Sequence, residues 1–206
     1  MNKKGLLTRT GIGATGAMLL MSGAGMAVAD EVNGEDVAVN VEIAAVEPVG
    51  ALTMSVAADS TTLTEVDSGD EAVRQFDGTL PTVTVSDDRE EVPEGVFWYV
   101  TGQSSAFTAD GLPDIGPDQL GWTPNLMTDD GVVSEGEEVL TSLDEGDDAV
   151  GLVGEELLAL AFDSAEAQDT TGAWDADAAL FLKTPADVAP GSYAATLTLT
   201  LWEDAF

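Results

Sequence analysis

Along much of the chain, side chains switch character with a period of two. Val37, Val39, Val41 and Ile43 are separated by Ala38, Asn40 and Glu42, which predicts a half-buried strand. Leu52, Met54 and Val56 repeat the pattern beyond the break at Pro48 and Gly50. Leu80–Val85 is short and β-branched and runs into the turn-like Ser86-Asp87-Asp88-Arg89, and Val96–Thr101 is aromatic and β-rich. Leu180–Thr184 and Tyr193–Leu201 are separated by Pro185–Ser192. In the second of these, Tyr193, Ala195, Leu197, Leu199 and Leu201 fall on one face and Ala194, Thr196, Thr198 and Thr200 on the other, the clearest strand in the chain.

Helical periodicity is thin. Glu155–Asp163 fits either two helical turns or a buried strand, and Gly111–Pro124, rich in Pro and Gly, reads as loop, with Trp122 inside it. Asp129–Asp148 carries nine acids and no base and reads as a solvated excursion. Regular short strands with turn punctuation and no fixed repeat predict an all-β fold, an antiparallel, Ig-like β-sandwich with long acidic loops.

Composition narrows the chemistry. The 206 residues include 39 Asp plus Glu, 6 Lys plus Arg, no His and no Cys, for a net charge of −33. A Ser-His-Asp triad, a Cys nucleophile, disulfides and ordinary structural zinc are therefore excluded. Nucleic acid and anionic lipid are excluded as unaided partners, since both need a basic face. The basic start (Lys3, Lys4, Arg9), the uncharged run Gly11–Ala29 and the small-x-small ending Ala27-Val28-Ala29 match a secretory signal peptide over residues 1–29. Its glycines argue against a membrane anchor, which needs about 18 strongly apolar residues, and no twin arginine is present. The mature chain, 30–206, then has no membrane span and keeps Arg74, Arg89 and Lys183 against all 39 acids, a net charge of −36.

Catalytic motifs are absent or incomplete. Gly102-Gln103-Ser104-Ser105-Ala106 lacks the second glycine of a nucleophile elbow, and Asp169-Thr170-Thr171-Gly172 misses the aspartic-protease spacing. Neither a P-loop nor a dinucleotide fingerprint occurs. Among 39 acids some will always look paired, so a carboxylate-based hydrolase is a poor third reading. Asp67-Ser68-Gly69-Asp70-Glu71 and Asp144-Glu145-Gly146-Asp147-Asp148 are oxygen-rich but do not follow the EF-hand pattern and read as solvated loops. The expectation is a non-enzyme with no cofactor or metal. The C-terminal region has neither a sortase-type signal nor the apolar outer face of an outer-membrane barrel strand.

Three stretches resemble WxL-type domains. Thr82–Arg89 followed by Trp98–Phe107 is similar to the family's strand, turn and Trp-bearing strand, and Leu120-Gly121-Trp122-Thr123-Pro124 to its following loop. Ala189–Ala205 is similar to the distal motif: Tyr193, Leu197, Thr198 and Leu201 match it. Leu199 stands where the family has Trp, Ala205 where it has Pro, and Val100 where the first motif has Leu, the profile of a divergent member. The resemblance implies an exported, non-enzymatic bacterial β-domain, held non-covalently on the Gram-positive cell wall through peptidoglycan; other surface proteins are a separate candidate class of partner. The residues it marks for wall binding or the family motif are Trp98, Val100, Trp122, Tyr193, Leu197, Thr198 and Leu201, joined by Trp202 in the three-residue gap between Leu201 and Ala205. An exposed Trp or Tyr can stack on a sugar face, but burial is the expectation for Tyr193 and Trp98, with Trp122 and Trp202 open to either reading. The rival function is a freely secreted acidic structural or adhesive domain, or a subunit of a surface complex.

Overall fold

The computed structural model describes residues 50–128, 130–146 and 149–206. The expected signal peptide and the strand expected at Val37–Ile43 lie outside the described residues. The rest is an all-β fold of two antiparallel sheets.

The larger sheet is organised by one long strand, β9 (Ala173–Pro185). Its inward residues, Trp174, Ala176, Ala178, Leu180, Leu182 and Thr184, are all buried. On one side it pairs with β6 (Leu120–Leu126). On the other it pairs with β3 (Val73–Thr79) along one half and β4 (Val83–Asp87) along the other. These two are one strand interrupted. The register slips by a residue between Thr79↔Ala179 and Val83↔Ala176, and the break contains Pro81, which has no N–H to give the ladder. β1 (Leu52–Val56) borders β4, and β2 (Thr64–Val66) borders β3.

The smaller sheet has the order β10 (Leu197–Ala205), β5 (Val96–Ser104), β8 (Glu156–Ala161), β7 (Val133–Glu135). Trp98, Trp122 and Trp174 are buried between the layers, Trp98 against Trp174 with ring centroids 5.4 Å apart. Trp122 reaches across from the larger sheet to Gly102 on β5, where an added Cβ would lie 2.5 Å from the indole. Only glycine leaves room for that ring.

Two expectations change and one open reading is resolved. Trp122 is not in a loop: the loop ends with the 3₁₀ turn Pro117–Gln119, and β6 follows despite Pro124. In this strand the Trp122 backbone faces away from β9 and pairs with Val139, so the N–H missing at Pro124, two residues on, falls on the same outer side. Asp129–Asp148 is not simply solvated, because it contains β7 and buries Val133, Val139 and Thr141. The ambiguous Glu155–Asp163 is strand, and a short helix, α1 (Ser164–Thr170), comes after it. Asp163 caps that helix by accepting from the N–H groups of Ala165 and Glu166 at 2.9 and 3.0 Å.

Candidate functional site

Most residues singled out in the sequence point inward. Trp98 and Val100 are buried on β5, and Trp122 is buried on β6. Leu197 and Leu201 are half-buried on the inner side of β10, packed on the core. Tyr193 precedes β10 and is half-buried rather than enclosed, its hydroxyl donating to the Ala189 carbonyl at 3.0 Å. Only Thr198 and Trp202 lie on the outer side of β10, Trp202 with 39% of its surface exposed.

The structure places Trp202 in company that the sequence reading did not give it. In the β10–β5 ladder Trp202 sits directly opposite Tyr99, and Asp204 opposite Phe97. Phe97 and Tyr99 alternate with the buried Trp98 and Val100, so the pleat turns them outward. The rings form a row: Phe206 to Phe97 at 4.7 Å, Phe97 to Tyr99 at 5.9 Å and Tyr99 to Trp202 at 6.4 Å between centroids. Neighbouring rings are inclined by 31°, 20° and 21° respectively, so the row presents a nearly continuous π surface. The Trp202 indole N–H donates to Thr101 Oγ1 at 3.0 Å, which tethers the ring to β5. Phe206 is 87% exposed, and Phe162, just past β8, is 62% exposed. Period-two alternation through Val96–Thr101 was the signal for Phe97 and Tyr99. Phe206 had none, because its place depends on how far β10 extends.

A polar clasp joins the two sheets. Arg89 donates from Nε and Nη2 to Asp87 at 2.8 and 2.6 Å and from Nη1 to Glu203 at 3.1 Å. It thereby ties β4 of one sheet to β10 of the other. The Asp87 side chain is wholly buried, and hydrogen bonding to it, outweighing burial, raises the Arg89 guanidinium above its usual range. Gln168 of α1 donates to the Arg89 carbonyl, bringing the helix to the same corner.

Acids elsewhere serve as structural acceptors. Asp130 takes the Trp174 indole N–H at 2.7 Å and the N–H groups of Val132 and Val133. Burial alone would raise its carboxyl, but these bonds hold it below the usual value. Asp144 likewise overcomes burial through Lys183 and the hydroxyl and N–H of Thr141. In the Asp67–Glu71 loop, Asp67 and Asp70 accept from the N–H groups of Gly69 and Ala72. Among the described residues no group of three or more acids is placed to hold a metal ion, and Asp147 and Asp148 of the other acidic loop lie outside them. No described helix is long and apolar enough to cross a membrane.

Comparison with known proteins adds no relative. No family model, curated protein or solved structure matches this chain. The likeness to WxL-type domains rests on the residues quoted above.

Proposed function

We propose that the mature chain is a secreted, non-catalytic binding module on an Ig-like sandwich, associating non-covalently with peptidoglycan at the Gram-positive cell wall. The observation that carries this reading is the aromatic row Phe206–Phe97–Tyr99–Trp202 on the outer side of the smaller sheet. Trp202 and Phe206 leave ring surface in water, with Phe97 and Tyr99 half-buried between them, and such surface forgoes burial worth about 25 cal/mol per Å², so the row marks a contact surface. A shallow π surface suits the apolar face of a pyranose ring, and the exposed Thr198 hydroxyl, two positions past Thr200 on the same outer side of β10, offers a hydrogen bond farther along the strand. The residues similar to WxL motifs then divide by role. Trp98, Val100, Trp122, Leu197 and Leu201 build the sandwich, while Trp202 and Thr198 meet the wall.

A pull-down of the mature chain on purified Gram-positive sacculi tests this. The wild type is expected in the pellet and released by denaturant without lytic enzymes. Tyr99→Ala combined with Trp202→Ala should lower bound protein at least tenfold with the fold intact by circular dichroism. Wild-type protein left wholly in the supernatant overturns wall binding and favours the freely secreted structural or adhesive reading. Undiminished binding by the double variant removes the aromatic row from the account.

A further inference from the structure

On the inner side of the larger sheet lies a second feature, independent of the aromatic row. A cleft of about 1060 Å³ runs between the sheets, at the upper end of the range for small-molecule sites. Its floor is Met54, Phe76, Leu80, Leu180 and Leu182 from the larger sheet, and Leu197, Leu199 and Tyr193 face them. Protein interiors normally close such space, because unfilled volume forfeits dispersion contacts. One end is polar. Thr184 continues the inward row of β9 past Leu182, is wholly buried, and its hydroxyl has no hydrogen-bond partner among the described residues. A hydroxyl desolvated in this way is costly unless something meets it.

Opposite Thr184 in the β3–β9 ladder stands Arg74, which also lines the cleft. Its Nε and Nη2 donate to Glu65 at 2.7 and 3.0 Å, and Nη1 donates to nothing among the described residues. The other two described cations are committed elsewhere, Arg89 to Asp87 and Glu203 and Lys183 to Asp144. A hydroxyl donor and a guanidinium at one end of an apolar slot are complementary to an anionic head with an apolar tail. We infer that this cleft binds a linear amphiphile with a carboxylate head, of the fatty-acid class, its head at Thr184 and Arg74 and its chain along Leu182, Leu180 and Leu80.

Titration calorimetry of the mature chain with decanoate and with decanol, both below their aggregation concentrations, tests the assignment. Decanoate should bind one per chain, more tightly than decanol, and raise the melting temperature as any native-state ligand does. Thr184→Val, nearly unchanged in volume, should weaken decanoate about tenfold, and Arg74→Met should abolish the preference for the acid over the alcohol. Ala58→Trp, at an exposed position on the rim, should block both ligands without lowering the melting temperature. No binding of either compound overturns the proposal, as does binding that none of the three variants alters. Equal affinity for the two compounds overturns the carboxylate assignment. A stable dimer that binds neither gives the cleft to a second copy of the chain.

Discussion

Arg89 joins Asp87, buried in one sheet, to Glu203 at the end of the other, and shows how a single cation is used in so acidic a chain. Arg89→Met removes the charge and leaves the Asp87 carboxylate buried and unpaired, at a cost of about 3 kcal/mol. A denaturant melt at neutral pH should show that loss. Glu203→Gln, whose partner keeps Asp87, should cost under about 1 kcal/mol. Glu156 on β8 is the opposite case. Burial raises its carboxyl above the usual value, with no partner to offset it. An acid whose folded value is raised contributes stability at low pH and loses it as pH rises through that value. Glu156→Gln should therefore raise the melting temperature at pH 7 and have little effect near pH 3. Sequence reading saw Ser86–Arg89 only as a turn, because an ion pair between two sheets has no signature in local spacing. Trp98 was legible as core because its strand was. Trp122 was misassigned because glycine and proline around it signal loop, and only the pairing of its strand with β9 overrides that signal.

At the scale of elements, β10 was the most legible, since Leu and Thr alternate without interruption, although its register extends to Ala205 rather than beginning at Tyr193. Its faces can be separated by one pair of variants. Leu199 packs on the core and approaches Gly102, whereas Thr198 is exposed. Leu199→Asp should unfold the domain, by several kcal/mol, through burial of an unpaired charge, and Thr198→Asp should stay within about 0.5 kcal/mol of wild type. Equal damage from both would mean that the register is wrong. β9 was half visible. Leu180–Thr184 carries the β signal, but Ala173–Ala179 is, apart from Trp174, alanine and aspartate, residues of low strand propensity that β3, β4 and β6 hold extended from either side. β2 and β7, three residues each, and the single-cap helix α1 are too short for any period to show.

Charge acts on the whole molecule. Residues 30–206 set Arg74, Arg89 and Lys183 against 39 acids, and each of the three is ion-paired. A Gram-positive wall is itself anionic, so long-range forces oppose the encounter proposed above, and attachment has to come from short-range stacking and hydrogen bonds. Screening contracts to about 8 Å at physiological ionic strength. In a sacculus pull-down across a NaCl series, binding should hold or rise with salt, the reverse of a basic wall-binding protein. A steep fall would demand a basic wall-binding site beyond these three ion-paired cations. At low pH the sign reverses for stability. The Asp130 and Asp144 carboxyls are held below their ordinary value, so their contribution is present at neutral pH and lost as pH falls through the folded value, below about 3.8.

The larger sheet has one further consequence, which concerns time. Each of β3, β4 and β6 finds its partner in β9, so Val73 waits for Pro185 and Ser86 for Ala173. A sheet whose central strand is among the last to be synthesised has a high contact order, and such chains fold in milliseconds to seconds rather than microseconds. Until residue 173 has been synthesised, β3, β4 and β6 lack their shared partner, and of the larger sheet only the β1–β4 and β2–β3 pairings can form. A chain truncated at Gly172 should accordingly show no cooperative melt. Stopped-flow refolding of the intact chain should place the gain of Trp98 and Trp174 fluorescence burial in a single slow phase.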